Sequence, residues 1–308
     1  MTYKNIKVYK KGYLKVNKEH EIYFELSGNP KGKPVLFVHG GPGGGFLEED
    51  KRYFNPKFFN VINFDQRGAG KSKLFASITN NTTFDLVNDI KKLIDFLKIK
   101  KVILFGGSWG STLSLVYAIK HPETISCMVI RGIFFGSEAE NHFFVYEAQN
   151  IFPEAWEKMA NLVPKIHQKK IPEYYYKMMK SKDKKIRKKF TLAWTIYELS
   201  ISKFKSSESE IKRFLKKFKF ESFSIIELHY LTNHCFLSKD YILKNIHRIK
   251  DIPVSIVHGR YDHVARPFNA YQLHKKLPKS KLYYTFAGHS AFEKETERRL
   301  VQEMDRLA

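Results

Sequence analysis

The sequence predicts an α/β protein, a mostly parallel central sheet with helices on both faces and an inserted helical cap. Three observations predict it. Residues 101–121 run from a short apolar segment, Lys101-Val102-Ile103-Leu104-Phe105, through a glycine-flanked turn into apolar residues at helical spacing. On both sides of the middle of the chain, strand-like and helix-like segments alternate, as strand–helix–strand units do. From about 135 to 245 that alternation stops, and Lys, Phe, Tyr and Met recur at helical spacing. A sheet core split by a helical insertion accounts for all three.

The elements follow in order. Gly12 to Val16 and Glu21 to Leu26 read as strands, and Ser27-Gly28-Asn29-Pro30 supplies turn chemistry before a third strand, Pro34 to His39. A fourth strand runs from Val61 to Phe64, and Phe84 to Leu97 reads as an amphipathic helix. After the 101–105 strand comes a helix from Ser111 to His121, with Leu113, Val116, Tyr117 and Ile119 on its apolar positions and Pro122 ending it. Cys127 to Ile130 is the next strand. Beyond the insertion, Val254 to His258 and Lys281 to Phe286 are strands around a helix from about Asn269 to Lys276. A helix from about Ala291 to Leu300 closes the chain. This divides the molecule into a core of residues 1–134 and 246–308 and a cap of residues 135–245. At 308 residues and 43% hydrophobic, the chain can bury a full core.

A net charge of +23 raises nucleic acid or an anionic membrane as partners. Residues 151–220 hold 19 Lys and Arg against 7 Asp and Glu, so the excess is concentrated. Yet Lys182-Asp183-Lys184-Lys185-Ile186-Arg187-Lys188-Lys189 belongs to a stretch interrupted by apolar residues at helical spacing. That pattern marks the basic outer faces of helices rather than a disordered tail. No nucleic-acid motif accompanies it, and nucleic acid is the minority reading. The first twenty residues lack the apolar segment of a secretory signal, and no stretch approaches the length of a membrane span. Cys127 and Cys235 are too few for a disulfide framework or a zinc site, and read as reduced thiols of a cytoplasmic protein.

The chemistry centres on Gly106-Gly107-Ser108-Trp109-Gly110. Strand, sharp glycine-flanked turn and helix form the context that exposes a serine as a nucleophile. A serine hydroxyl needs a neighbouring base to take its proton. His289, in Ala287-Gly288-His289-Ser290, is the candidate base, and Asp262, in His258-Gly259-Arg260-Tyr261-Asp262, is its orienting carboxylate. Each follows a strand, and the order Ser, Asp, His suits this architecture. With twelve histidines present, a histidine near a strand is not in itself informative. Position and order favour His289, whereas His258, His263 and His274 keep structural readings. Two backbone N–H groups should hold the oxyanion, those of Trp109 and of Gly41 in Val38-His39-Gly40-Gly41-Pro42-Gly43-Gly44-Gly45. A phosphate-binding reading of that glycine run lacks the G-K-[ST] ending. Nothing in this chemistry calls for a metal or an organic cofactor.

These residues together resemble a known family. His39 to Gly44, Asp65-Gln66-Arg67-Gly68-Ala69-Gly70-Lys71-Ser72 and Gly106 to Leu113 resemble prolyl aminopeptidase (proline iminopeptidase), a family with the α/β-hydrolase fold. So do Tyr23 to Pro30, Arg131 to Phe134, Phe152 to Trp156, Gly259 to Asp262 and Gly288 to Ser290. The resemblance implies a serine exopeptidase that releases N-terminal proline from small peptides through an acyl-enzyme. It also implies that cap glutamates bind the free N-terminal amine, here Glu198 in Trp194-Thr195-Ile196-Tyr197-Glu198 and Glu227 in Glu227-Leu228-His229-Tyr230. It further implies an aromatic proline pocket, with Phe134, Phe144 and Tyr146 as candidates; Asp65 to Arg67 read as a structural turn beneath the site rather than a catalytic group. The chain departs from the family pattern at Tyr197, at Leu231 and in His263-Val264-Ala265-Arg266-Pro267. Two alternatives stay open: an esterase or amidase on the same scaffold, and a non-catalytic binding protein with a basic cap.

Overall fold

The structure is a computed structural model that describes residues 2–4 and 6–308. Its strands are β1 (Val8–Lys15), β2 (Glu21–Gly28), β3 (Lys33–Val38), β4 (Phe59–Phe64), β5 (Val102–Gly107), β6 (Ile125–Arg131), β7 (Val254–Gly259) and β8 (Ser280–Thr285). They form one sheet in the order β1-β2-β4-β3-β5-β6-β7-β8. β2 pairs antiparallel with β1 and β4, and every other pairing is parallel. The sheet is mostly parallel, as the alternation of segments requires. Consecutive side chains on the central strands bury on opposite faces. Leu36 and Val38 of β3 join a cluster with Leu86, Ile90 and Leu113, while Val35 and Phe37 pack in another with Leu300 and Met304.

Helices α1 (Thr83–Phe96) and α2 (Trp109–Lys120) precede β6, and α10 (Pro267–Lys276) and α11 (Lys294–Asp305) follow β7. Between β6 and β7 the described elements are all helical: α3 (Glu138–His142), α4 (Pro153–Ala160), α5 (Ile171–Met179), α6 (Lys184–Ile201), α7 (Glu208–Leu215), α8 (Phe220–Leu231) and α9 (Tyr241–Asn245), with short 3-10 and π turns. This layer has its own apolar cluster, built around Tyr175, Trp194, Tyr197 and Leu228. Along α6 the buried positions include Phe190, Trp194, Tyr197, Glu198 and Ile201, a stripe at helical spacing that carries a carboxylate inward. At the start of α8, Ser222 Oγ donates to Gly43 O at 3.0 Å, which seats that helix on the glycine run after β3. Among the described residues, no helix is long and apolar enough to cross a membrane.

Two element starts differ from expectation by three residues or more. β1 begins at Val8 rather than Gly12, because it is an edge strand whose exposed lysines carry no apolar alternation. α11 begins at Lys294 rather than near Ala291. Glu293 Oε1 instead accepts from Phe204 N at 3.0 Å and Oε2 from Gly288 N at 2.7 Å, holding the preceding segment in a turn.

Candidate active site

Because β3, β5, β7 and β8 run in register in one direction, the segments leaving their C-terminal ends share one edge of the sheet. Ser108 follows β5 directly, with φ 58° and ψ −128°, a conformation costly for a residue with a Cβ. Its neighbours hold it there. Ser108 N donates to Arg131 O at 3.0 Å, and Ser108 O accepts from Ser111 N at 2.8 Å and Ser111 Oγ at 2.7 Å. Gly106 and Gly110 are required by contact: a Cβ on Gly106 would strike Gly110 O, and one on Gly110 would strike Val38 O.

Asp262 and His289 lie after β7 and β8. His289 Nδ1–H donates to Asp262 Oδ2 at 2.7 Å, which leaves Nε2 as the basic nitrogen. Asp262 Oδ1 accepts from Val264 N at 2.9 Å and Ala265 N at 2.8 Å. Burial by itself would push the Asp262 carboxyl up, but the His289 ring, His258 and these amides outweigh it and hold it below its usual range. His258 also approaches Asp262, at 3.4 Å. Its Nδ1 accepts from Ile133 N at 3.0 Å and its Nε2 faces Ala265 O at 3.0 Å, so it is a neutral ring serving the backbone. Burial pushes its pKa down, in keeping with that role. The His289 ring lies over Gly132, where a Cβ would come within 2.9 Å of Cε1. Ser108 and His289 line one cavity, though among the described residues no hydrogen bond joins their side chains.

The amides of Gly41 and Trp109 have no partner among the described residues, and Trp109 N opens helix α2, whose dipole favours negative charge. One side chain ties their two segments together. Gln66 Nε2 donates to His39 O at 2.8 Å, Gln66 Oε1 accepts from Trp109 Nε1 at 2.9 Å, and Gln66 N donates to His39 Nε2 at 2.9 Å. Burial pushes His39 down to about 4, so it accepts that bond as a neutral ring. Asp65 accepts from Phe46 N and Lys71 N, and Arg67 pairs with Asp89 at 2.6 Å.

Glu198 lines the same cavity as Ser108, and Glu227 stands behind it, accepting from Trp194 Nε1 at 2.6 Å. Both carboxyls are buried, and Glu198 Oε2 has no partner among the described residues. Burial raises both pKa values, and proximity of the second carboxyl raises that of Glu198 further. No Lys or Arg ion pair neutralises either carboxyl among the described residues. The arrangement can accept a cation.

The three candidate aromatics lie elsewhere. Phe144 is buried edge-on to Trp194 at 5.7 Å, and its carbonyl accepts from Tyr197 Oη at 2.5 Å. Tyr146 Oη accepts from Ile171 N at 3.0 Å, and Phe134 O accepts from Thr112 Oγ1 at 2.5 Å. None of the three lines the cavity of Ser108. Sequence reasoning passed over Arg131 and Asp50. Arg131 is half-buried, lies against Gly107 and donates from Nη1 to His289 O at 2.8 Å. Asp50 lines the cavity, and burial pushes it up to about 7. An arginine closing an apolar strand was the only signal for the first, and the second had none.

Residues 33–296 match the family described as alpha/beta hydrolase fold. The chain is 42% identical to a probable proline iminopeptidase of Leptolyngbya boryana, over 99% of this chain and 96% of that one. It is 40% identical to a proline iminopeptidase of Xanthomonas citri over 99% of both, and 41% identical to one of Arabidopsis thaliana over 94% of this chain and 78% of that one. Among solved structures, an esterase from Exiguobacterium antarcticum superimposes with a TM-score of 0.68 at 20% identity, covering 96% of this chain and 98% of that one. At that identity the likeness concerns the fold alone.

Proposed function

The chain belongs to the α/β-hydrolase family and, within it, to the proline iminopeptidases, and from that premise we propose a serine exopeptidase that releases N-terminal proline from small peptides. The observation that carries this reading is the buried Glu198–Glu227 pair, which has no Lys or Arg partner among the described residues and whose Glu198 lines the cavity of Ser108 and His289. An exopeptidase must measure the distance from a terminal ammonium to the scissile carbonyl. Two carboxyls in a site shielded from water are strong partners for that charge.

In this reading Ser108 Oγ attacks the carbonyl of the first residue while His289 Nε2 takes its proton, and Asp262 stabilises the imidazolium that forms. The amides of Gly41 and Trp109 receive the oxyanion. His289 then gives the proton to the leaving nitrogen and the shortened peptide departs. Water, deprotonated by the same ring, hydrolyses the ester on Ser108 and frees proline. Phe144 acts at one remove, packing on the tryptophan that holds Glu227. Phe134 and Tyr146 shape the helical wall behind it. Residues 135–245 serve as the cap, and two buried free thiols, Cys127 and Cys235, suit a cytoplasmic setting.

The test is hydrolysis of prolyl-β-naphthylamide beside its N-acetylated form and a p-nitrophenyl ester, with Ser108→Ala as control. The expected outcome is preference for the free amine and a loss of about 10⁴-fold or more in the variant. Equal cleavage of the acetylated substrate would turn the assignment toward a general esterase or amidase.

A further inference from the structure

In the reading above, Glu198 and Ser108, which line one cavity, take the amine and the carbonyl of the first residue. The cavity does not end there. The leaving nitrogen must face His289, which gives it a proton, and the wall on that side is formed by the residues directly after His289, up to Phe292. Phe214, Phe218 and Phe223 line the same cavity. Phe214 and Phe218 lie with ring centroids 4.8 Å apart, and Phe218 meets Phe223 edge-on at 5.0 Å. Phe223 also reaches the glycine run beside the oxyanion donors, lying 3.7 Å from where a Cβ of Gly44 would sit. The aromatic wall is thus continuous with the reacting centre.

This wall is incompletely covered. Phe214 and Phe218 are half-buried, and Phe292 is 39% exposed. Only Ile211 of α7 is buried, so the helix that brings Phe214 is not held by a deep core of its own. A cluster of aromatic rings that stays partly open beside a nucleophile is a surface that gains by receiving an apolar group.

We propose that this side of the cavity is a selective subsite for a bulky apolar side chain, an aromatic one above all, on the second residue of the peptide. The proposal rests on the prolyl aminopeptidase reading and adds to it what the enzyme selects beyond the first residue. A glycine or a charged side chain there leaves the rings uncovered or must shed its hydration against them.

The experiment measures release of free proline from Pro-Phe, Pro-Gly and prolinamide by the wild type and by Phe214→Ala and Phe292→Ala. The wild type should show kcat/KM at least about 10-fold higher for Pro-Phe than for Pro-Gly, the scale on which an apolar pocket discriminates. Each variant should lower that ratio by about 5-fold or more. Phe292, being exposed, can be truncated without opening a core cavity, so its result stands apart from any folding defect of Phe214→Ala. A wild-type ratio near one, or a ratio that both variants preserve, overturns the subsite while leaving the aminopeptidase reading in place. A wild type that cleaves none of the three overturns that reading, and the subsite with it.

Discussion

A carboxyl buried beside another is stable only while a proton or a cation lies between them. Glu198 and Glu227 meet that condition in the folded chain by keeping a proton that the unfolded chain would lose near the ordinary carboxylate value of 4.5. The sign follows. Their contribution to stability is fully present below that value and is lost as pH rises through the raised folded values. Glu198→Gln removes this cost, so its melting temperature should exceed that of the wild type by about 2 °C or more at pH 8, and by less at pH 5. An equal shift at both values would mean that the pair does not titrate as described. The same proton competes with the substrate amine, so KM for prolyl-β-naphthylamide should rise as pH falls from 8 toward 5. Gly132 carries another prediction at this scale. With φ at 54° and the His289 ring against it, Gly132→Ala must move the imidazole. Steady-state kinetics should show kcat reduced by about 10²-fold, the cost of a misplaced reacting group, with KM changed far less. Unchanged kcat would show that the ring has room to spare.

Between elements, Gln66 decides the register of the site. It leaves the end of β4 and fastens the segment after β3 to the first turn of α2, where the two free amides lie. Gln66→Leu removes the clip and strands buried polar groups on both sides. The expected result is a fall in kcat of about 10²-fold, comparable to losing an oxyanion donor, together with a lower melting temperature. A variant that melts earlier but keeps its kcat would make Gln66 structural only. Much of this scale was legible in the sequence. Central strands such as β5 and β7 are short apolar runs because both faces are covered, and the glycines around Ser108 announce a turn that tolerates no Cβ. What was hidden depended on partners far apart in the chain. Asp50 reaches the cavity from a short 3-10 turn, and Arg131 meets His289 across 158 residues, a pairing no local pattern records. Phe144 and Tyr146 were hidden differently. In a layer so rich in aromatics, spacing alone does not separate a ring that lines a cavity from one that packs beneath it.

For the molecule as a whole, the proposed function has the sheet supply the reacting groups and the helical layer supply the charge that selects the substrate. The basic face of α6 lies apart from its acidic one: Lys184, Lys185, Lys188 and Lys189 are exposed on the first turns, while Glu198 sits on the buried stripe near the other end. One helix thus separates a solvated basic surface from a buried acidic pocket. The central claim is that the acidic pair reads the free amine of the substrate, and it is tested most directly by a ratio of rates. The quantity is kcat/KM for prolyl-β-naphthylamide divided by that for a p-nitrophenyl ester, measured at pH 8 in the wild type, Glu198→Gln and Glu227→Gln. Truncating one partner of a buried charge pair costs about 2–5 kcal/mol, so the ratio should fall by at least about 30-fold in each variant. A ratio that survives both substitutions would contradict the account, because the amine would then be held by something other than these two carboxyls.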